Sequence, residues 1–194
     1  MPEEKKPAQD AGEAAPRPDG DHRALAEASP DDVSGYAVLE DGVPVTEVRA
    51  DGIFSAARWA RDHGYRILSL LSAYDDGKTE FGVLYAFVKP ANTPGDFAEM
   101  RLKVRMPRKD EAGNDLEPEC QSIVDVFSAA DWQEREMYDL YGIVFHGHPA
   151  LRRIFMPEGW SGFPHRKDYR EPEQFIAMRD GEDIVLKTQE DGSW

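Results

Sequence analysis

Beyond Gly147 the chain runs through Pro149, Pro157, Gly159, Gly162 and Pro164, yet it also carries Leu151, Ile154, Phe155, Met156, Trp160 and Phe163. These two facts pull in opposite directions. The prolines and glycines interrupt any long helix or strand. The large apolar side chains argue against a solvated, disordered linker. A segment of this kind is laid down on a surface, of its own domain or of another protein. What precedes it must supply a body, and with 194 residues that body is one domain with tails.

The body is legible by period. The ordered part is expected to start near Val33, and residues 35–50 alternate apolar and polar side chains around the turn signal Asp41-Gly42 and read as one or two short strands. Ser55 is the expected cap of a helix running to His63, with Trp59 inward and Gly64 as the stop. Strands are expected over 65–74, 81–88 and 97–106, with Asp75-Asp76-Gly77-Lys78 closing a hairpin between the first two. The charged stretch 108–119 is a connector. After it the period changes. Residues 122–127 read as a short helix capped by Ser122. Asp131 then caps a second helix, with Glu134 completing a capping box and Gly142 as the C-terminal stop.

The expected fold is therefore α+β: a small antiparallel or mixed sheet with helices on one face, followed by an extended irregular C-terminal arm. Residues 1–34 are read as a mostly disordered acidic, Ala/Pro-rich tail with room for a short helix around Arg23 to Glu27, 35–147 as the domain, 148–172 as a partner-docking arm and 173–194 as an acidic tail.

Charge narrows the function. The net charge is −15, which repels nucleic acid. It is unevenly spread, with acidic ends flanking a basic segment that holds Arg152, Arg153, Arg166 and Lys167. No secretory leader and no apolar run of membrane-spanning length is expected. The single cysteine, Cys120, makes an intrachain disulfide impossible, fits a reducing compartment and cannot ligate an iron–sulfur cluster in any standard way. It reads as an inert thiol. No glycine-rich dinucleotide fingerprint follows a strand.

The helical pattern containing Glu134, Arg135, Glu136 and Asp139 has three readings: a solvated face, paired carboxylates for acid–base work, or an acidic face pairing with Arg152, Arg153, Arg166 or Lys167. The arginines and aromatics downstream favour the third. His146-Gly147-His148 places two imidazoles at a spacing that occurs in metal sites, but no third and fourth ligand with usable spacing accompanies them. The expectation is that His148 orders a turn and that His146 is partly exposed. Trp132 and Trp160 are core residues by default and interface anchors as the sharper alternative.

The run from Glu134 to Ile143 (EREMYDLYGI), then Phe145, Gly147-His148-Pro149 and Leu151-Arg152-Arg153-Ile154, resembles the C component of respiratory NADH–quinone oxidoreductase, complex I. Trp160, Gly162, Pro164 and Arg166-Lys167-Asp168-Tyr169 continue the likeness, and Ser122 and Ala130-Asp131-Trp132 precede it. His165 stands where many relatives carry a leucine-like residue, and Phe155 is bulkier than the pattern. The resemblance implies a cofactor-free structural subunit of the peripheral arm, on the cytoplasmic side of the membrane. It implies two kinds of neighbour: the D component, which is the large hydrogenase-like subunit, and the iron–sulfur B and I components. FMN, iron–sulfur clusters and quinone would be held by other subunits. Carried over, Trp132, Glu134, Arg135, Glu136, Asp139, His148, Arg152, Arg153, Trp160, Arg166, Lys167 and Asp168 become candidates for structural ion pairs and partner contacts. The family extends to the equivalent subunit of membrane-bound energy-converting [NiFe] hydrogenases. Readings of a different class are a stand-alone metal-dependent enzyme using His146, His148 and a nearby carboxylate, and a free-standing binding domain whose basic segment recognises an acidic or phosphate partner.

Overall fold

The computed structural model describes residues 20–39, 42–91, 93, 96–157, 159–170, 174–179 and 182–187. The elements run α1 (Gly20–Ala28), β1 (Val33–Val38), β2 (Pro44–Val48), α2 (Ile53–Asp62), β3 (Ile67–Asp75), β4 (Glu80–Pro90), β5 (Phe97–Pro107), β6 (Glu119–Gln121), α3 (Ala130–Tyr141), β7 (Val144–His146), β8 (Gln174–Arg179) and β9 (Glu182–Lys187).

Five strands form one mixed sheet in the order β1-β2-β5-β4-β3. All its neighbours are antiparallel except β2 and β5. The register explains the alternation in the sequence. Phe81, Val83, Tyr85 and Phe87 on β4 stand opposite Met106, Val104, Leu102 and Met100 on β5, and every one of them is buried. Cross-strand pairs of this kind stabilise a sheet in proportion to the apolar area they remove from water. On α2, Ala56, Ala57 and Ala60 are wholly inaccessible, and their small side chains let the helix lie close to the strands. Leu25 of α1 and Met137 of α3 join the same core cluster. The fold is α+β, as the sequence indicates.

Several local expectations need correction. Helix α2 starts at Ile53 with Gly52 as its cap, so Ser55 lies inside the first turn and caps nothing. Residues 122–127 form turns instead of a helix. Helix α3 starts at Ala130 after Ala129, with no side-chain cap. Asp131 therefore caps nothing, and Glu134 is used elsewhere. The ordered part also begins before residue 33: α1 is amphipathic enough to bury Leu25 completely and His22 nearly so. In the stretch read as an acidic C-terminal tail, β8 and β9 pair as an antiparallel hairpin. The expectation of disorder over 1–19 falls outside the described residues.

Candidate functional site

Helix α3 is where the sequence motif meets the arm. Its end is fixed by Gly142, which has a left-handed φ of 73° and donates its N–H to the Tyr138 carbonyl at 2.8 Å. A β-carbon on Gly142 would sit 2.4 Å from the Phe163 ring and 2.6 Å from Arg166, so the chain reversal here needs glycine twice over. Parallel pairing of β6 with β7 then ties the strand after the helix back to the connector before it.

The three acids of the motif have three different fates. Glu134 has no solvent exposure. Its carboxyl meets Ser122 Oγ at 2.6 Å and accepts the Ile123 N–H at 2.8 Å. It thus organises the turn that precedes α3. Burial pushes its pKa up to about 7, opposed by those two hydrogen bonds. Asp139 is also without exposure. One of its oxygens accepts the N–H groups of Ile154, Phe155 and Met156 at 2.9, 2.6 and 2.9 Å, and the other accepts Arg153 Nη1 at 2.7 Å. Burial alone would raise its pKa, but three backbone amides and a guanidinium hold it below the usual carboxylate range. Glu136 is half-buried and takes part in no ion pair among the described residues. The solvated-face reading therefore fails for Glu134 and Asp139. Of the expected acid–arginine pairs from this helix, one forms, between Asp139 and Arg153.

Among the described residues, three clusters of charged side chains clamp the arm to the domain, beside single contacts such as that from Arg135 to the Arg152 carbonyl. Asp139 holds residues 153–156. Arg153 reaches on, donating to the carbonyls of Gly162 at 2.9 Å and Trp160 at 3.4 Å. Arg166 forms the second clamp, donating to the Tyr141 carbonyl at 2.6 Å and to Glu117 at 3.0 Å. Asp75, at the end of β3, forms the third. It accepts the N–H of Lys167 at 2.7 Å, the N–H of Gly77 at 2.7 Å and the guanidinium of Arg108, which in turn reaches Asp168 at 2.9 Å. Burial would raise the pKa of Asp75, and Arg108 with the two amides outweighs it. The guanidiniums also stack: Arg108 and Arg166 lie over Phe81, and Arg153 and Arg166 lie over Phe163.

The other sequence candidates are placed as follows. His148 accepts the Ala150 N–H at Nδ1, so its Nε2–H faces the Asp131 carbonyl at 3.2 Å. His146 instead meets Glu119 at 2.9 Å. The two imidazoles serve different partners, and among the described residues no group of three or more His, Cys, Asp or Glu side chains converges as a metal site would require. Cys120 is buried beside the Tyr85 hydroxyl, and burial pushes its thiol up to about 12. Such a thiol is unreactive at neutral pH. Arg135 is 8% exposed; it donates Nε to the Arg152 carbonyl at 3.2 Å and stacks on Trp132. Arg152 is exposed to solvent, Lys167 contributes its backbone N–H, and Trp160 is half-buried. Phe155, bulky for the motif, is 58% exposed, so its size costs no packing. His165 donates its backbone N–H to the Leu140 carbonyl and meets the Tyr141 ring edge-on. Sequence reasoning misses Asp75, Arg108 and Glu117. Asp75 reads as a turn residue and Arg108 as part of a charged connector, and no local signal announces a partner some ninety positions away.

Fold and site together define an α+β domain whose C-terminal segment is bolted across its own helix α3 and strand β3. A family model described as respiratory-chain NADH dehydrogenase, 30 Kd subunit, matches residues 46–174, which takes in the sheet from within β2 onward and the clamped arm. The chain belongs to that family. A relative from Synechococcus sp. (strain WH7803), the NAD(P)H-quinone oxidoreductase subunit J, is 37% identical over 153 residues, covering 75% of this chain and 80% of the relative. Among solved structures, the trypsin-resistant fragment (1-134) of Nqo5 is 28% identical, with a TM-score of 0.48 over 66% of this chain and 97% of the fragment.

Proposed function

We propose that the chain is a cofactor-free structural subunit in the peripheral arm of a proton-pumping NADH–quinone oxidoreductase. In this reading it sits on the cytoplasmic side of the membrane. It holds the large hydrogenase-like D component against the iron–sulfur B and I components. FMN, the clusters and quinone belong to its neighbours, and electrons pass from NADH to quinone without touching this chain. The observation that carries the proposal is the family match running from β2 through the whole of the arm to Gln174. The use made of the charged side chains supports it. Asp75, Asp139, Arg108, Arg153 and Arg166 are spent on backbone and on one another, which suits a part that fixes geometry. A peripheral position agrees with the absence, among the described residues, of a helix long and apolar enough to cross a membrane.

Affinity purification of the tagged chain from gently solubilised membranes of its own host tests this. NADH-oxidising and quinone-binding subunits are expected to elute with it in equal amounts. Elution with the large and small subunits of a hydrogenase would move the assignment to the energy-converting hydrogenases. Elution of the chain alone would remove the subunit reading.

A further inference from the structure

We propose that Trp132, Arg135 and Arg152 form a receptor for a carboxylate side chain of a neighbouring protein subunit, with Phe155 as the apolar anchor beside it. This rests on the subunit reading above and names the chemistry of one contact.

The first observation is exposure. Trp132 is 65% and Phe155 58% exposed, the two largest aromatic surfaces left open on α3 and the clamped arm. Arg135 ties the helix that carries one to the segment that carries the other. It stacks on Trp132 at 4.8 Å and holds the Arg152 carbonyl, three residues before Phe155. Aromatic and arginine side chains at such positions are the residues that dominate binding energy in protein interfaces.

The second observation is an unanswered charge. Arg135 is almost wholly buried, yet among the described residues its guanidinium makes a single hydrogen bond, from Nε to a backbone carbonyl. Neither Arg135 nor Arg152 forms an ion pair among the described residues. Elsewhere in this acidic chain cations readily find acids, as Arg49 does with Asp51, Arg105 with Glu80 and Lys109 with Asp115. The acids nearest the face are otherwise placed. Asp139 is filled by Arg153 and three amides, and Asp131 faces His148 at 3.4 Å. Glu136, on the same helix, pairs with neither arginine. Arg135 keeps spare donors beside the indole it stacks on, and it holds the backbone of Arg152, whose guanidinium is exposed; arginines of this kind suit a carboxylate. The aromatic flanks would exclude water from the pair and strengthen it. An acidic side chain set among apolar neighbours fits this face, and a basic partner does not.

The test uses the assembled complex. Photo-crosslinking is done from p-benzoylphenylalanine placed at residue 155, and the attached peptide is identified by mass spectrometry. The expected product is a peptide of another subunit with an Asp or Glu close to the crosslink. Arg152→Glu is expected to lower the yield of intact complex about tenfold or more, and Trp132→Ala to act in the same direction. Arg152→Lys, which keeps the charge and loses the fork, should fall between the wild type and Arg152→Glu. Reversing the partner's carboxylate to arginine should restore assembly of Arg152→Glu. Because Trp132 and Arg152 are exposed, the purified variants should melt with the wild type, which separates a lost contact from a lost fold. Full assembly of the Arg152→Glu, Trp132→Ala double variant overturns the proposal. So does a crosslink confined to lipid, to a second copy of this chain or to a peptide without an acid. If the wild-type chain never joins a membrane complex, the subunit reading has failed instead.

Discussion

Glu134 and Asp139 are both carboxylates without solvent exposure on helix α3, and their surroundings drive them in opposite directions. Asp139 meets four donors, which outweigh burial, so its charge is stabilised in the fold. Replacing it with alanine would strand three N–H groups and leave Arg153 without its counter-ion. The expected loss is about 3–5 kcal/mol, read as a drop in the urea midpoint with an unchanged slope. A slope that also changes would point to a loosened native state instead. Glu134 meets two partners in the driest part of the motif, and burial wins. Its folded pKa of about 7 lies above the ordinary 4.5, so the folded state holds a proton that the unfolded chain releases. The stability that this proton contributes is complete below about pH 4.5 and is lost as pH rises through about 7. Asp75 and Asp139 have lowered values and act the other way, losing their contribution only under more acid conditions. Glu134→Gln keeps the shape of the protonated form. Its amide oxygen can accept the Ile123 N–H, and its NH₂ can donate to Ser122 Oγ. The variant should therefore gain on the wild type, by a few kcal/mol at most, as pH rises from 4.5 to 7. Parallel stability curves for the two proteins across that window would show that Glu134 titrates normally. The sequence places both residues on one helix but does not separate them, because the difference lies in what the turn at 122–123 and the arm at 154–156 bring to each.

At the scale of elements, the strands are readable from the chain and the helix starts are not. Period-2 alternation over 97–106 is dictated by a sheet buried on one face, and the apolar run 81–88 by its place beside it, so both are written into the chain itself. Helix starts depend on which backbone groups find partners. The two expected caps, Ser55 and Asp131, are displaced because core packing of Ile53 and Ala130 extends each helix past the polar residue. Helix α1 is foreshadowed only as a short helix around Arg23 to Glu27, because its burial rests on just Leu25 and His22. The arm is recognisable as surface-bound, but the surface is largely the chain's own. Its clamps make a direct prediction. The N–H groups of Ile154, Phe155 and Met156 lie in no helix or strand, yet they should be protected in hydrogen exchange. That protection should vanish in Asp139→Ala while β4 and β5 stay protected. Equal loss across the sheet would mean that the arm is part of the cooperative core. Gly142→Ala attacks the same clamp from the other side. The left-handed backbone costs about 1–2 kcal/mol for any residue with a β-carbon. The new methyl must also displace Phe163 or Arg166. Limited proteolysis should then cut near residues 163–166 in the variant and spare the wild type.

For the whole molecule, the charge balance decides how it meets a membrane. Family membership is legible from the motif around α3, since its charged residues are fixed by partners inside the fold. The partner-facing chemistry is less so, because the sequence treats Arg152 and Arg153 alike while the structure leaves one in solvent and sends the other to Asp139. The basic segment 148–170 is the part of the chain that an anionic lipid surface would attract. Three-dimensional placement argues against that. Arg153 and Arg166 are committed to clamps, which leaves Arg152, Lys167 and Arg170 as the exposed cations of the segment, on a chain whose net charge is −15. Each free cation near an anionic surface contributes about 1 kcal/mol, and the acidic excess repels the same surface over a Debye length of about 8 Å at physiological salt. Repulsion should win. In sedimentation assays at physiological ionic strength, the purified chain is expected to stay in the supernatant with vesicles rich in phosphatidylglycerol. Its retention on native membranes should instead survive high salt and be released by a chaotrope or detergent that separates protein subunits. Pelleting with the bare vesicles, suppressed by added salt, would show that lipid headgroups recruit the chain directly and that protein contacts are not its means of attachment.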